Sequence, residues 1–275
     1  MLDLYPGRAG WRQAQRFGRA LGALGWRLSR RDRRRALEHL TIAFPGLSPG
    51  ERNALARACF RHLGVMLGEA FHLRHADATA LERLVRLEGW EQVTAARASG
   101  RPILILTGHC GNWELLAALL NVRGLGMAVM ARQLEDEGLQ TSLLGLRQRF
   151  GTRTIVRGTP GAARELLKTL RGGGALGMLI DQDTRVDGVF VDFFGRPAYT
   201  PVGAAELAAR FDAVVLPTFI ERLADGTRLA RIEPRLDLPD DPVAATAAMT
   251  QRIEAQIRRV PEQWVWIHRR WRRRP

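Results

Sequence analysis

Residues 102–120 read PILILTGHCGNWELLAALL, and this stretch decides the fold. Ile103-Leu104-Ile105-Leu106-Thr107 is a continuous apolar run of strand length, the pattern of a strand buried on both faces. Trp113 to Leu120 is built of good helix formers. Between them lies Gly108-His109-Cys110-Gly111-Asn112. Two glycines bracket a histidine at a strand-to-helix turn, where the backbone takes unusual dihedrals and a side chain stands clear. Asn112 is placed to cap the following helix. His109 at the strand end and Glu114 in the first helical turn can face one opening, where the carboxylate would hold the imidazole's tautomer and raise its basicity. A structural histidine, with a glutamate favoured only by the helix dipole, is the plainer alternative. The whole package of apolar strand, Gly-flanked His, capping Asn and Glu favours the functional reading.

Outward from this segment, strands alternate with helices. Toward the C-terminus, short strands are expected at Met127–Met130, Thr152–Val156, Ala175–Ile180, Val214–Ile220 and Leu229–Ile232. Helices are expected over 134–150, from Thr159-Pro160 to Leu170, from Thr200-Pro201 to Phe211 and from Asp241-Pro242 to about Val260. Toward the N-terminus, Ser48-Pro49-Gly50-Glu51 is a capping-box pattern that opens a helix to about His75. Further helices are expected over 77–86 and from Trp90 to Ala98. The order predicts an α/β fold with a central, mostly parallel sheet flanked by helices, preceded by N-terminal helices. The segment 1–35 reads as a basic amphipathic helical arm and 36–275 as one α/β domain. Functional groups are expected at the carboxyl ends of the strands, where His109, Arg132, Arg157 and Asp181 all fall.

Net charge is +14, and it sits at the chain ends: +7 over residues 1–40, +6 over 252–275 and +1 between them. Lys168 is the only lysine. Terminal arginine clusters suit an anionic surface such as phospholipid headgroups, a phosphorylated substrate or nucleic acid. Residues 11–28 set Trp11, Phe17, Leu21, Leu24 and Leu28 at helical spacing among Arg12, Arg16, Arg19 and Arg27. That helix either lies in a lipid interface or packs on the domain, and one helix can do both. No apolar run spans a bilayer or forms a secretory signal. Two cysteines in a chain of 275 residues make no disulfide framework. His62, His72 and His75 are spaced too openly for a metal site and read as structural; no metal or cofactor is implied.

His109-Cys110-Gly111-Asn112-Trp113-Glu114 resembles the HxxxxD/E motif of glycerolipid and lysophospholipid acyltransferases, in particular the late acyltransferases of lipid A biosynthesis, the lauroyl/myristoyl transferase family. Three further segments, in order, resemble that family: Ala43–Ser48 with Glu51-Arg52; Asp181-Gln182-Asp183 followed by Gly188–Gly195; and Pro261–Trp271. The resemblance covers roughly residues 36–275. It implies a glycerolipid acyltransferase-like fold and a membrane-associated O-acyltransferase. The donor would be a fatty acyl thioester on acyl carrier protein, or coenzyme A, and the acceptor a hydroxyl of a phosphorylated glycolipid, a lipid A precursor. Members usually begin with a hydrophobic anchor; its absence from this sequence points to a peripheral enzyme on the cytoplasmic face of the inner membrane. Relatives acylate other amphiphiles, including phosphatidylinositol mannosides and lysophospholipids, so those acceptors stay open.

Acyl transfer to an alcohol needs a base for the hydroxyl proton and stabilisation of an oxyanion. His109 is the candidate base, with Glu114 as its orienting carboxylate. Cys110 is a packing residue or a nucleophile. Arg132 and Arg147 are candidates for the acceptor's phosphates or the oxyanion, against a reading as solvated arginines. Asp181, ending an apolar strand, needs a partner such as an arginine or a substrate hydroxyl, and Asp183 either shapes the site or is a turn residue. Gly188–Gly195 reads as a hairpin edge beside an acyl groove or as a core-facing strand. Trp264, Trp266 and Trp271 among the C-terminal arginines suit a membrane interface or the acidic surface of acyl carrier protein. Nucleic-acid binding is disfavoured because no recognised nucleic-acid motif accompanies the charge. A non-catalytic lipid-binding protein would have no need for His109 and Glu114 in this arrangement.

Overall fold

The computed structural model describes residues 8–275, so the first seven residues of the 1–35 arm lie outside it. The chain opens with helices α1 (Arg8–Leu28), α2 (Arg30–Ala43), α3 (Pro49–Leu73) and α4 (Ala78–Leu84). Then come β1 (Val85–Glu88), α5 (Trp90–Ala98), β2 (Ile103–Thr107), α6 (Trp113–Val122), β3 (Ala128–Ala131), α7 (Glu137–Arg149), β4 (Arg153–Val156), α8 (Ala162–Arg171) and β5 (Ala175–Leu179). The last part holds β6 (Gly188–Phe193), β7 (Arg196–Pro201), α9 (Gly203–Arg210), β8 (Val214–Arg222), β9 (Arg228–Ile232) and α10 (Pro242–Arg259). Seven strands form one sheet in the order β1-β9-β8-β2-β5-β3-β4, and every pairing in it is parallel except β8 with β9. The expected α/β architecture is therefore the observed one.

Local chemistry sets the element ends. Ser48 accepts from the Glu51 amide while the Glu51 carboxylate accepts from the Ser48 amide, the reciprocal capping box. Asp136 accepts from the Leu139 amide and starts α7 three residues later than the periodicity suggests. Residues 77–86, expected as one helix, divide into α4 and an edge strand β1, because Val85–Glu88 pairs in register with Arg228–Arg231 and tertiary pairing overrides local propensity.

The sheet is buried on both faces. Leu104 and Leu106 of β2 pack with α9, α10 and the C-terminal segment, and Ile103 and Ile105 pack with α4, α5 and α6. The segment Gly188–Gly195 forms one arm of the β6–β7 hairpin, which lies outside the main sheet and packs on α10 with Val191 and Phe193 in the core. Trp264 and Trp266 are also fully buried, which corrects their assignment to a membrane or carrier-protein surface.

Helix α1 runs antiparallel to α3, and their glycines interlock. A Cβ on Gly18 would run into the Gly64 carbonyl, one on Gly22 into that of Phe60, and one on Gly68 into that of Ala14. The backbones approach closely because no side chain stands between them. Phe17, Leu21 and Leu24 each sit one residue ahead of an interface position, as does Leu67 on α3. In an antiparallel pair that offset points to the same outer side. Phe17, Leu24, Leu28, Leu67 and Phe71 are about half exposed or more there. Gly64→Val is expected to cost about 3 kcal/mol or more, because neither backbone can retreat. The midpoint of urea unfolding measures this, and an unchanged midpoint would mean that α1 does not depend on the close approach.

Candidate active site

The site lies at the carboxyl edge of the sheet, where β2 and β5 are neighbours. Asp181 follows β5 and is almost wholly buried. One of its oxygens accepts from the His109 Nδ1–H at 2.7 Å; the other accepts from the His109 amide at 2.8 Å and from the Trp264 indole N–H at 2.7 Å. Burial alone would push this carboxyl up. The charge of His109 and the three hydrogen bonds outweigh that and bring it down to about 2. With Nδ1–H committed to Asp181, a neutral His109 carries its lone pair on Nε2. The ring is about one-fifth exposed and meets Trp113 edge-on at 4.8 Å.

The carboxylate that the structure sets against the His109 Nδ1–H is thus Asp181, and not Glu114 as the spacing suggested. Glu114 is taken by Arg147, whose Nε and Nη2 donate to its two oxygens at 2.8 and 2.7 Å. Both partners are nearly buried, so this fork ties the first turn of α6 to α7. No hydrogen bond joins Glu114 to His109; the Nδ1–H of His109 goes to Asp181. The spacing in sequence put Glu114 near His109; only the parallel pairing of β2 with β5 brings up Asp181, 72 residues away.

Each residue of the turn is held by a different element. A Cβ on Gly108 would press on Ile253 and crowd the Asp181 carboxylate. Cys110 bridges to Trp264, and burial, with Asp181 adding to it, pushes its thiol well up, so it is no ready thiolate. Gly111 has φ +61°, and a Cβ there would strike the Ile220 carbonyl. Its amide donates to Gln263 and its carbonyl accepts from the His62 Nε2–H at 3.2 Å. Asn112 caps α6 by accepting from Leu115 and donates to the buried carboxylate of Glu69. Glu69 in turn accepts from Gln15 of α1 and pairs with the buried Arg228 of β9. Sequence spacing alone carried no signal for Glu69, Arg228 or Trp264, whose roles come from long-range packing.

The remaining candidates separate. Asp183 points into the C-terminal tail, where Arg272 and Arg273 pair with it at 3.0 and 3.4 Å. Arg132 and Arg157 directly follow β3 and β4, one step past the paired Ala131 and Val156. Burial and the neighbouring Arg132 both lower the Arg157 guanidinium's pKa. Neither arginine has an acidic partner among the described residues. His268 lies near enough to feel Asp181 and His109, and burial brings it down to about 4. The described residues hold no group of histidines, cysteines and acids arranged for a metal ion.

A neutral imidazole whose Nδ1–H is held by a buried carboxylate presents Nε2 as a proton acceptor. Residues 9–273 match the family model for bacterial lipid A biosynthesis acyltransferases, and the chain belongs to that family; it is an enzyme that transfers acyl groups. It is 27% identical to a lipid A biosynthesis acyltransferase of Haemophilus influenzae over 87% of this chain and 75% of the relative. It is 28% identical to the lipid A biosynthesis palmitoleoyltransferase of Escherichia coli over 94% and 85%. A phosphatidylinositol mannoside acyltransferase of Mycobacterium tuberculosis is 29% identical over 70% of this chain and 61% of its own length.

Buried histidines give the site a pH signature. Burial, with Arg222 adding to it, brings His62 down to about 3. An unfolded histidine binds its proton near pH 6.5. Between those values the unfolded state holds the extra proton, so His62 supports the fold fully above about pH 6.5 and loses that support as pH falls toward 3. His62→Gln is expected to remove up to about 3 kcal/mol of the stability lost between pH 7.5 and 4.5. Urea midpoints at the two pH values test this, and equal drops in both proteins would show that His62 does not carry the slope.

Proposed function

We propose that this enzyme moves a fatty acyl group from a thioester, on acyl carrier protein or coenzyme A, to a hydroxyl of a lipid A precursor. The observation that carries the reading is the Nδ1–H of His109 bonded to Asp181, which leaves Nε2 as a base at a solvent-facing edge. The acceptor oxygen attacks the thioester carbonyl carbon as Nε2 takes the hydroxyl proton. The tetrahedral intermediate collapses, the C–S bond breaks, and the imidazolium returns the proton to the leaving thiolate. Asp181 stays ionised and stabilises that imidazolium. No covalent acyl-enzyme is needed, and the buried, proton-holding Cys110 offers none.

Glu114 acts as a positioning residue through Arg147, which keeps Nη1 for an oxygen of the substrate. Arg132 and Arg157 take a phosphate of the acceptor, since two adjacent guanidiniums without acids fit a dianion. The outer face of α1 and α3 lies in the lipid interface of the inner membrane's cytoplasmic side. Phe17, Leu24, Leu28, Leu67 and Phe71 enter the acyl boundary, and the arginines between them meet anionic headgroups. This attachment is peripheral in the proposed reading; no helix among the described residues is long and apolar enough to cross a bilayer.

A transfer assay with labelled long-chain acyl-acyl carrier protein should offer a lipid A precursor, a lysophospholipid and a phosphatidylinositol mannoside. Transfer to the lipid A precursor is expected, and His109→Ala and Asp181→Asn are each expected to lower it by about 10³-fold or more while the proteins stay folded. Transfer to the mannoside alone would reassign the acceptor toward that of the mycobacterial relatives. Retention of the rate in Asp181→Asn would remove Asp181 from the mechanism.

A further inference from the structure

The two basic ends of the chain meet. A cavity of about 310 Å3 lies between α2 and the C-terminal tail, lined by Arg31, Arg34, Arg35, Arg269 and Arg272, with Glu38, His39 and Trp271 completing it. Five guanidiniums face one lining carboxylate. Arg35 is fixed by Asp32 and by the carbonyl of Ile267, and Arg272 by Asp183. Arg31 and Arg269 have no acidic partner among the described residues. Burial and the nearby Arg269 lower the Arg35 guanidinium's pKa, a mark of like charges held together.

This surface differs from the α1–α3 face. Its lining includes none of the exposed large apolar side chains, and Trp271 is half-buried against His39 and Phe193. A bilayer surface rewards arginine together with an inserted apolar face. A cluster of arginines without one suits a hydrated polyanion that stays in water. The cavity is also wired to the reacting centre. Arg272 holds Asp183, two residues from Asp181, and Arg269 follows His268, which feels both Asp181 and His109.

We propose that this cavity docks the acidic face of the carrier protein that delivers the acyl thioester, placing the thioester beside His109. The proposal rests on the acyl-transfer reading above and names the donor's contact surface within it. Carboxylates of the carrier form forked bonds with Arg31, Arg34 and Arg269, while Arg35 and Arg272, already anchored, supply the fixed field that orients it. The acceptor lipid approaches from the membrane side, so donor and acceptor use separate positive surfaces.

The test compares wild type with the Arg31→Glu/Arg269→Glu double variant, which leaves the anchored Arg35 and Arg272 in place. Direct binding of unacylated acyl carrier protein is measured by fluorescence anisotropy at low and physiological salt, so this arm needs no turnover. Binding is expected in wild type, weakening as salt rises, and at least 10-fold weaker in the variant. In the transfer assay KM for the acyl carrier protein donor is expected to rise at least 10-fold with little change in kcat. KM for an acyl-coenzyme A donor should change less than 2-fold, and sedimentation with anionic phospholipid vesicles should not change. Thermal melts confirm that the variant is folded. Equal carrier affinity in the two proteins overturns the proposal. So does loss of vesicle binding with carrier affinity unchanged, which would assign the cavity to lipid headgroups. If wild type transfers from acyl-coenzyme A but binds no carrier protein, the docking inference fails while the acyl-transfer reading stands. If carrier protein binds but nothing is transferred to any acceptor, the reverse holds.

Discussion

The carboxylate of Asp181 is buried, ionised and bonded to three N–H donors from two distant parts of the chain. An isolated carboxylate in that position would be expensive; the donors offset its lost hydration. Most of the site's geometry follows from supplying them. The imidazole must turn Nδ1 inward, which sends Nε2 outward. The His109 amide must face the same oxygen, which fixes the turn, and Gly108 must lack a Cβ for the carboxylate to come so close. Trp264 must be buried to deliver its indole N–H. The last segment of the chain is thereby drawn into the core rather than left on the surface.

A second buried carboxylate, Glu69, ties the same turn to the N-terminal helices. It receives Asn112 of the turn, Gln15 of α1 and Arg228 of β9. Breaking one partner of a buried ion pair typically costs 3–5 kcal/mol, because the other charge remains. The basic amphipathic arm is thus not a loose appendage. Through Gln15 and Glu69 it reaches Asn112, the cap of α6.

The fold was legible where patterns are local. The β2–turn–α6 unit, the capping box at Ser48 and the later strands follow from periodicity, caps and Gly/Pro signals. The edge strand β1 was hidden, because four residues of alternating V-R-L-E extend a helical pattern until β9 pairs with them. Which side chains gather was more legible than how they pair. His109 and Asp181 follow the neighbouring strands β2 and β5, and Glu114 opens α6, but the His109 Nδ1–H goes to Asp181 while Glu114 goes to Arg147. Glu114 is near His109 along the chain, whereas Asp181 is near it through the strand order, which no single sequence displays. The three tail tryptophans, adjacent to arginines, read as interfacial. Two of them are core residues, because polar neighbours in sequence say little about a segment whose side chains alternate between inside and outside.

Arginine content by itself carries little information in a chain with one lysine; what distinguishes one arginine from another is its partner. Arg147, Arg228 and Arg272 are each anchored on an acid. Arg270 is wholly buried and donates to Tyr199 and Thr200, fastening the tail to β7. Arg132, Arg157, Arg31 and Arg269 lack acids among the described residues: the first two follow the neighbouring strands β3 and β4, and the other two line the cavity where the chain ends meet. A folded protein gains little by crowding unneutralised guanidiniums together, since like charges repel and their attraction to solvent is partly lost. Under the proposals above, anions from outside would neutralise them: a phosphate of the acceptor at Arg132 and Arg157, and the acidic face of the carrier at Arg31 and Arg269.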